Sequence, residues 1–141
     1  MDFWDKHKTI TNFYEKLTKE ICNKNNITQM EYNILMFLYN NPECKTASGI
    51  IEKRKSTKSH VSNSLKNLEK NKLIIRKQKC NNKKYIEIFL LEKSKVIINE
   101  GKNLQKKFIN NLFEGISSDE MIIFKNIFYK ICENADKHLK K

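Results

Sequence analysis

Apolar residues recur at helical spacing through most of this chain and alternate in one stretch. Ile10, Tyr14, Leu17 and Ile21 repeat at 4, 3 and 4, and Phe3, Trp4, His7 and Phe13 widen the stripe. That pattern predicts a first helix over residues 3–23, ended by the run Asn23, Lys24, Asn25 and Asn26. Thr28 and Glu31 form a capping-box pattern, with Ile27 and Tyr32 placed as a hydrophobic staple. Met30, Ile34, Phe37 and Leu38 give the second helix its inner face, and Asn40, Asn41 and Pro42 stop it. A short helix with Ile50 and Ile51 inward is expected between Cys44 and Lys55.

The next stretch organises the rest. Val61, Leu65 and Leu68 fall at i, i+4 and i+7 and form one narrow apolar stripe on a helix ending near Asn71. Ser56 or Thr57 can cap it. Its other faces carry Lys58, Ser59, His60, Ser62, Asn63, Lys66, Asn67 and Lys70, small hydrogen-bonding groups mixed with cations. Such a face can reach base edges and neutralise flanking phosphates, so we read it as a DNA recognition helix. Two strands follow, Leu73–Lys79 and Lys84–Leu90, with Ile86, Ile88 and Leu90 alternating against Tyr85, Glu87 and Phe89. The turn between them is Cys80, Asn81, Asn82 and Lys83.

The C-terminal third returns to helical spacing. Ile97, Gly101, Leu104, Phe108 and Leu112 mark a helix over 92–114, with Gly115 as its stop. Ser117 and Glu120 form a second capping box, flanked by Ile116 and Met121 as a staple pair. Met121, Phe124, Phe128, Ile131 and Ala135 then repeat at 3, 4, 3 and 4, a helix–helix seam on which Cys132 is expected to be buried.

Charge sharpens this picture. The net charge is +12 over 141 residues. From Glu52 to Lys84 there are twelve Lys/Arg against two acids, so +10 of the +12 lies in under a quarter of the chain. A concentration of that kind, coinciding with a helix-turn-helix pattern, points to nucleic acid. The length suits one domain with a dimerisation extension, and three Gly and one Pro argue against an all-β design. The N-terminus MDFWDKHK lacks an apolar signal region and no apolar run approaches membrane-spanning length, so a cytoplasmic location without membrane contact is expected. Cys22, Cys44, Cys80 and Cys132 are scattered and the three His are isolated, so reduced thiols and no metal site are expected. There is no Gly-rich phosphate loop or nucleophile elbow, and no acid/base pair can be nominated, so we expect no catalysis and no cofactor.

Taken together, the element order resembles a winged helix-turn-helix with appended helices. In detail it resembles the MarR family of bacterial transcriptional regulators. The resemblance covers roughly Ile27 to Lys95 and rests on ITQMEYNILMFLYNN, HVSNSLKNLEKNKLIIRK and the LLEKSK after the wing. It implies a mainly α fold with a small β-hairpin wing. Residues 27–91 would form the DNA-binding region, and 1–25 with 92–141 a helical dimerisation region. It implies a homodimeric repressor on a pseudo-palindromic operator, with a small-molecule effector as a further partner. The DNA contacts carried over are Thr57, Lys58, Ser59, His60, Ser62, Asn63 and Lys66, with Arg76, Lys83 and Lys84 from the wing. The dimer seam would include Phe3, Trp4, Ile10, Phe108, Leu112, Phe124, Phe128 and Ile131.

The chain departs from the family in several places. The wing's usual Asp-x-Arg is Asn82, Lys83, Lys84, so its stiffening ion pair is missing. The glycine that often follows the recognition helix is Lys72, which suggests a different turn. Arg54 stands where an apolar residue is usual, so either the preceding helix is shifted or Arg54 reaches out to phosphate. Some relatives sense oxidants through a first-helix thiol. Cys22 lies near that helix's end, and Cys80, among Lys77, Lys79, Lys83 and Lys84, is the other redox candidate; an incidental surface thiol is the plainer reading. Trp4, Phe13, Tyr14, Phe37 and Tyr39 are candidates to line an effector cavity, beside the plainer reading of core aromatics. The alternative function is an interaction module whose basic face binds an acidic protein or RNA.

Overall fold

The computed structural model describes residues 2–79 and 82–141, the side chains of 82–84 excepted. It divides into two compact units, 1–108 and 109–141. The first opens with α1 (Asp2–Asp5) and α2 (His7–Asn25). One continuous first helix was expected, and the ladder breaks at Lys6. Lys6 has ψ −20°, a tightened turn, and the Thr9 amide bonds back only three residues, to the Lys6 carbonyl. The His7 ring Nδ1–H donates to the Trp4 carbonyl at the same place.

The capping box at Thr28 and Glu31 starts α3 (Gln29–Asn40), with both reciprocal bonds present. The inner face of α3 is wider than its periodicity suggests. Tyr32, Leu35 and Met36 are buried beside Ile34 and Leu38, whereas Met30 and Phe37 are half-buried. Helix α4 (Ala47–Arg54) is capped by Thr46 and buries Ile50. Helix α5 (Lys58–Lys70) is capped by Thr57 and buries Val61, Ser64, Leu65 and Leu68.

The turn after α5 corrects an expectation. Lys72 takes φ +61°, the left-handed conformation that favours glycine, so lysine does not prevent a left-handed turn here. The Leu73 amide bonds the Leu68 carbonyl and the Lys72 amide the Glu69 carbonyl, each at 3.0 Å. That pair of bonds is a Schellman closure, and it brings Leu73 onto buried Leu68.

Strands β1 (Ile74–Lys79) and β2 (Asn82–Leu90) pair antiparallel, with Ile74 opposite Leu90 and Arg76 opposite Ile88. Ile74 and Ile88 enter the core, but Ile86, expected to share their face inward, is 40% exposed because the hairpin has left the core by that point. A 3₁₀ turn, Glu92–Ser94, precedes α6 (Lys95–Leu112), so the helix begins three residues later than expected. Ile97, Ile98 and Gly101 of α6 are buried. Gly101 permits a close approach: a Cβ there would sit 2.6 Å from Met36 Sδ and 2.8 Å from Tyr32 Oη.

In the second unit, Gly115 turns with φ +78° and the Ser117–Glu120 capping box starts α7 (Ser118–Leu139). Ile116 is exposed, so the anticipated staple does not shield it. Phe124 and Phe128 stack at 5.7 Å, and Ile122, Ile123, Ile127, Tyr129 and Ile131 are also exposed. Cys132 is exposed too, contrary to expectation, because the single chain leaves the helix without a covering surface there. Among the described residues no helix is long and apolar enough to cross a membrane.

Candidate nucleic-acid interface

Helix α5 presents its polar face outward because its apolar stripe is narrow and held by the core. Lys58, Ser59, His60, Ser62, Asn63 and Lys66 are all exposed. Thr57 is exposed as well, but its hydroxyl is engaged as the cap, accepting from the His60 amide at 3.4 Å. The first-turn amides of α5 therefore lie beside Lys58 and Ser59, where the helix dipole favours an anionic oxygen.

Among the described residues, the hydrogen bonds that tie the hairpin to the rest of the chain fall at one rung. Arg76 and Ile88 are directly opposed, yet their amides point out of the ladder. The Ile88 amide donates to the Lys45 carbonyl at 2.7 Å on one side. The Arg76 amide donates to Glu69 Oε2 at 3.0 Å on the other, and Arg76 Nε and Nη2 donate to Oε1 at 3.2 and 2.9 Å. One carboxylate of α5 thus holds both the backbone and the side chain of one β1 residue. These bonds hold the Glu69 carboxyl below the usual carboxylate range, chiefly through the Arg76 side chain and then its amide. Sequence reasoning placed Arg76 among the DNA contacts; the structure commits its guanidinium to Glu69. The ion pair thought missing from the wing has a counterpart seven residues apart at the wing's base. Beyond this rung the ladder is irregular between Gln78 and Lys79, and Lys79 Nζ lies 3.7 Å from Glu87. Cys80 and the side chains of Lys83 and Lys84 lie outside the described residues.

Cys22 lies near the end of α2 with its thiol packed inward. It is buried, and desolvation, with Glu31 nearby, raises its pKa and disfavours the thiolate. Among the described residues no three His, Cys, Asp or Glu gather into a cation site.

A cleft of about 450 Å³ opens on the first unit, lined by residues including Ile10, Tyr14, Asn33, Phe37, Arg54 and Gln105. Of the five aromatics expected there, Tyr14 and Phe37 contribute. Phe13 packs on Phe108, Trp4 on Phe3, and Tyr39 lies under the Lys102 ammonium instead. Phe108, expected at a dimer seam, packs on Phe13 and Tyr14 within the chain. The Tyr14 and Tyr32 hydroxyls are 3.2 Å apart, and Gln105 Nε2 donates to Tyr14. Arg54 faces this cleft; although the residue is exposed, desolvation of its guanidinium lowers its pKa, with Tyr14 acting in the opposite direction. Arg54 thus lines the cleft while remaining exposed.

Residues 25–80 match a MarR family model. No curated protein matches the chain. Among solved structures, a putative MarR family transcriptional regulator from Listeria monocytogenes, complexed with 26mer DNA, is similar at TM-score 0.81 and 24% identity, covering 98% of this chain and 89% of that one. The S. aureus MepR–DNA complex is similar at TM-score 0.77 and 21% identity, covering 92% of each chain. Staphylococcus aureus MarR in complex with salicylate and kanamycin is similar at TM-score 0.73 and 26% identity, over 96% of this chain and 91% of that one.

Proposed function

We propose that this chain, whose residues 25–80 match a MarR family model, is a sequence-specific DNA-binding regulator of that family, acting as a homodimeric repressor on a pseudo-palindromic operator. The observation that carries the reading is the exposed polar and basic face of α5 beside a hairpin clamped to it, within the stretch that holds +10 of the net charge. Ser62 and Asn63 read base edges, and Lys58 and Lys66 neutralise phosphate. Thr57, Ser59 and His60 serve the helix's first turn, where a backbone phosphate is bound, and Lys83 and Lys84 enter the adjacent minor groove. Arg76 contributes by holding the wing. The DNA complexes of the Listeria monocytogenes and S. aureus relatives support this assignment.

Dimerisation accounts for the apolar faces left uncovered in one chain. Phe124, Phe128 and Ile131 of α7, with Phe3, Trp4 and Ile10, are too exposed for a stable monomer surface and suit a second copy, with Leu112 at its edge. Two recognition helices then meet half-sites about one turn, ~34–36 Å, apart, and occupancy of the promoter blocks transcription. The cleft beside Arg54 suits an effector that is a small aromatic anion, with the guanidinium for its charge and Tyr14 and Phe37 for its ring.

Fluorescence anisotropy tests the reading. The purified chain is titrated against DNA upstream of its own gene and against scrambled DNA of equal composition, over a salt series. A specific-to-scrambled ratio of about 10³ or more at physiological salt is expected. Equal, steeply salt-dependent binding to both would reduce the basic face to a general polyanion surface and favour the interaction-module alternative. A stable monomer at micromolar concentration by light scattering would remove the palindrome model.

A further inference from the structure

We propose that Glu69 is a positioning residue for DNA binding: it sets the angle between recognition helix and wing so that the two engage DNA as one rigid unit. The inference rests on the DNA-binding reading and deepens it. Glu69 is one of only two acids between Glu52 and Lys84, against twelve cations. Near a polyanion an acid is unfavourable, so its presence on the recognition helix calls for a gain elsewhere. The geometry supplies one. Glu69 accepts three hydrogen bonds from Arg76, one from the backbone amide and two from the guanidinium. A side-chain pair alone would let the strand pivot about the arginine's rotamers. The added backbone bond removes that freedom, because it fixes the peptide of β1 itself. The Lys45 carbonyl holds the opposed residue of β2, Ile88, so both edges of the hairpin are tied at one rung. Two regular pairs, Lys77 with Glu87 and Gln78 with Ile86, continue from that rung before the pairing becomes irregular past Gln78. The direction of β1 relative to α5 is therefore set where Glu69 holds the strand.

Electrostatics and positioning predict opposite signs for Glu69→Gln, which makes the test decisive. Removing a negative charge beside DNA should, on charge alone, tighten binding. Loss of the clamp should weaken it, because the wing's cations no longer arrive in register with the helix. Both proteins are titrated by anisotropy against specific and scrambled DNA over a salt series. Thermal unfolding is followed alongside; the pair is half-buried and still open to solvent screening, so the variant should lose little stability and fold. We expect Glu69→Gln to bind specific DNA about tenfold more weakly at physiological salt. The slope of log K on log salt should become shallower by about 0.9 for each wing phosphate lost. In an Arg76→Gln background, which keeps the amide bond to Glu69 but removes the two guanidinium bonds, Glu69→Gln should have a smaller further effect than it has in the wild type.

Equal or tighter binding by Glu69→Gln, with an unchanged slope, overturns the positioning role and leaves the DNA reading intact. Failure of the wild-type chain to prefer specific DNA overturns the DNA reading and this inference with it. If Glu69→Gln does not fold, Arg76→Gln reads the side-chain part of this contact from the wing. Its slope should then change by more than the ~0.9 per subunit that one lost cation explains, and a change of 0.9 or less overturns the proposal.

Discussion

Gly101→Ala sets two well-characterised effects against each other. Gly101 lies in the interior of α6, where Ala is favoured over Gly by about 0.8–1 kcal/mol on helix propensity. Were that the only consideration, the variant would be more stable. The new Cβ, however, would lie 2.6 Å from Met36 Sδ, 2.8 Å from Tyr32 Oη and 3.2 Å from Met36 Cε. Met36 is flexible but nearly fully buried, so it can move only into other side chains. Tyr32 is rigid and fully buried, and its hydroxyl pairs with that of Tyr14, a bond worth about 1 kcal/mol. Overpacking of this kind costs about 1–3 kcal/mol. It outweighs the propensity gain, and we expect a net loss of about 1–2 kcal/mol, or several degrees in Tm. Urea and thermal unfolding of the full chain measure it. In the Gly101→Ala background Met36→Ala should be less costly than the about 2–5 kcal/mol expected for it alone, since it relieves the clash. A Gly101→Ala protein as stable as wild type or more so, with additive behaviour toward Met36→Ala, would refute the close-contact argument.

Other predictions follow from single observations. Lys72→Gly should stabilise the chain by about 0.5–1 kcal/mol, because glycine takes φ +61° without the Cβ penalty that lysine carries; destabilisation on urea unfolding would contradict it. The Glu69 and Glu120 carboxyls both sit below the usual range in the folded chain, so each contributes stability above that range that is lost as pH falls through its lowered value. Glu120→Gln should accordingly be less stable than wild type at neutral pH and converge on it in acid; a constant difference from neutral pH to strong acid would rule out that linkage. The Cys22 thiol should resist alkylation until the chain unfolds; labelling of Cys22 in the native protein at the rate of a free thiol would show that burial does not protect it.

Much of the fold was legible because it is written in short-range hydrogen bonding. Both capping boxes join residues three apart, and each appears in the structure with both its bonds. The stripe Val61, Leu65, Leu68 oriented α5 without ambiguity, since only one side of that helix is apolar. The break at Lys6 was not legible, because it turns on one tightened residue within an otherwise continuous periodicity. Nor was the turn at Lys72, where residue identity argued against a left-handed conformation that the packing of Leu73 on Leu68 imposes.

The sequence by itself determined the order of elements, their caps, the polar outward face of α5 and the concentration of charge around it. These depend on neighbours within one or two turns, whose contacts follow from helical and strand geometry alone. Only the tertiary structure decided where long side chains end. Arg76 went to Glu69 and not outward; Arg54 went to a cleft; Gln105 reached Tyr14 across 91 residues of chain. An arginine or glutamine has several rotamers and more than one suitable partner, and its choice among them depends on how elements distant in sequence have packed. That choice is what converts a basic hairpin into one held at a defined angle beside its helix.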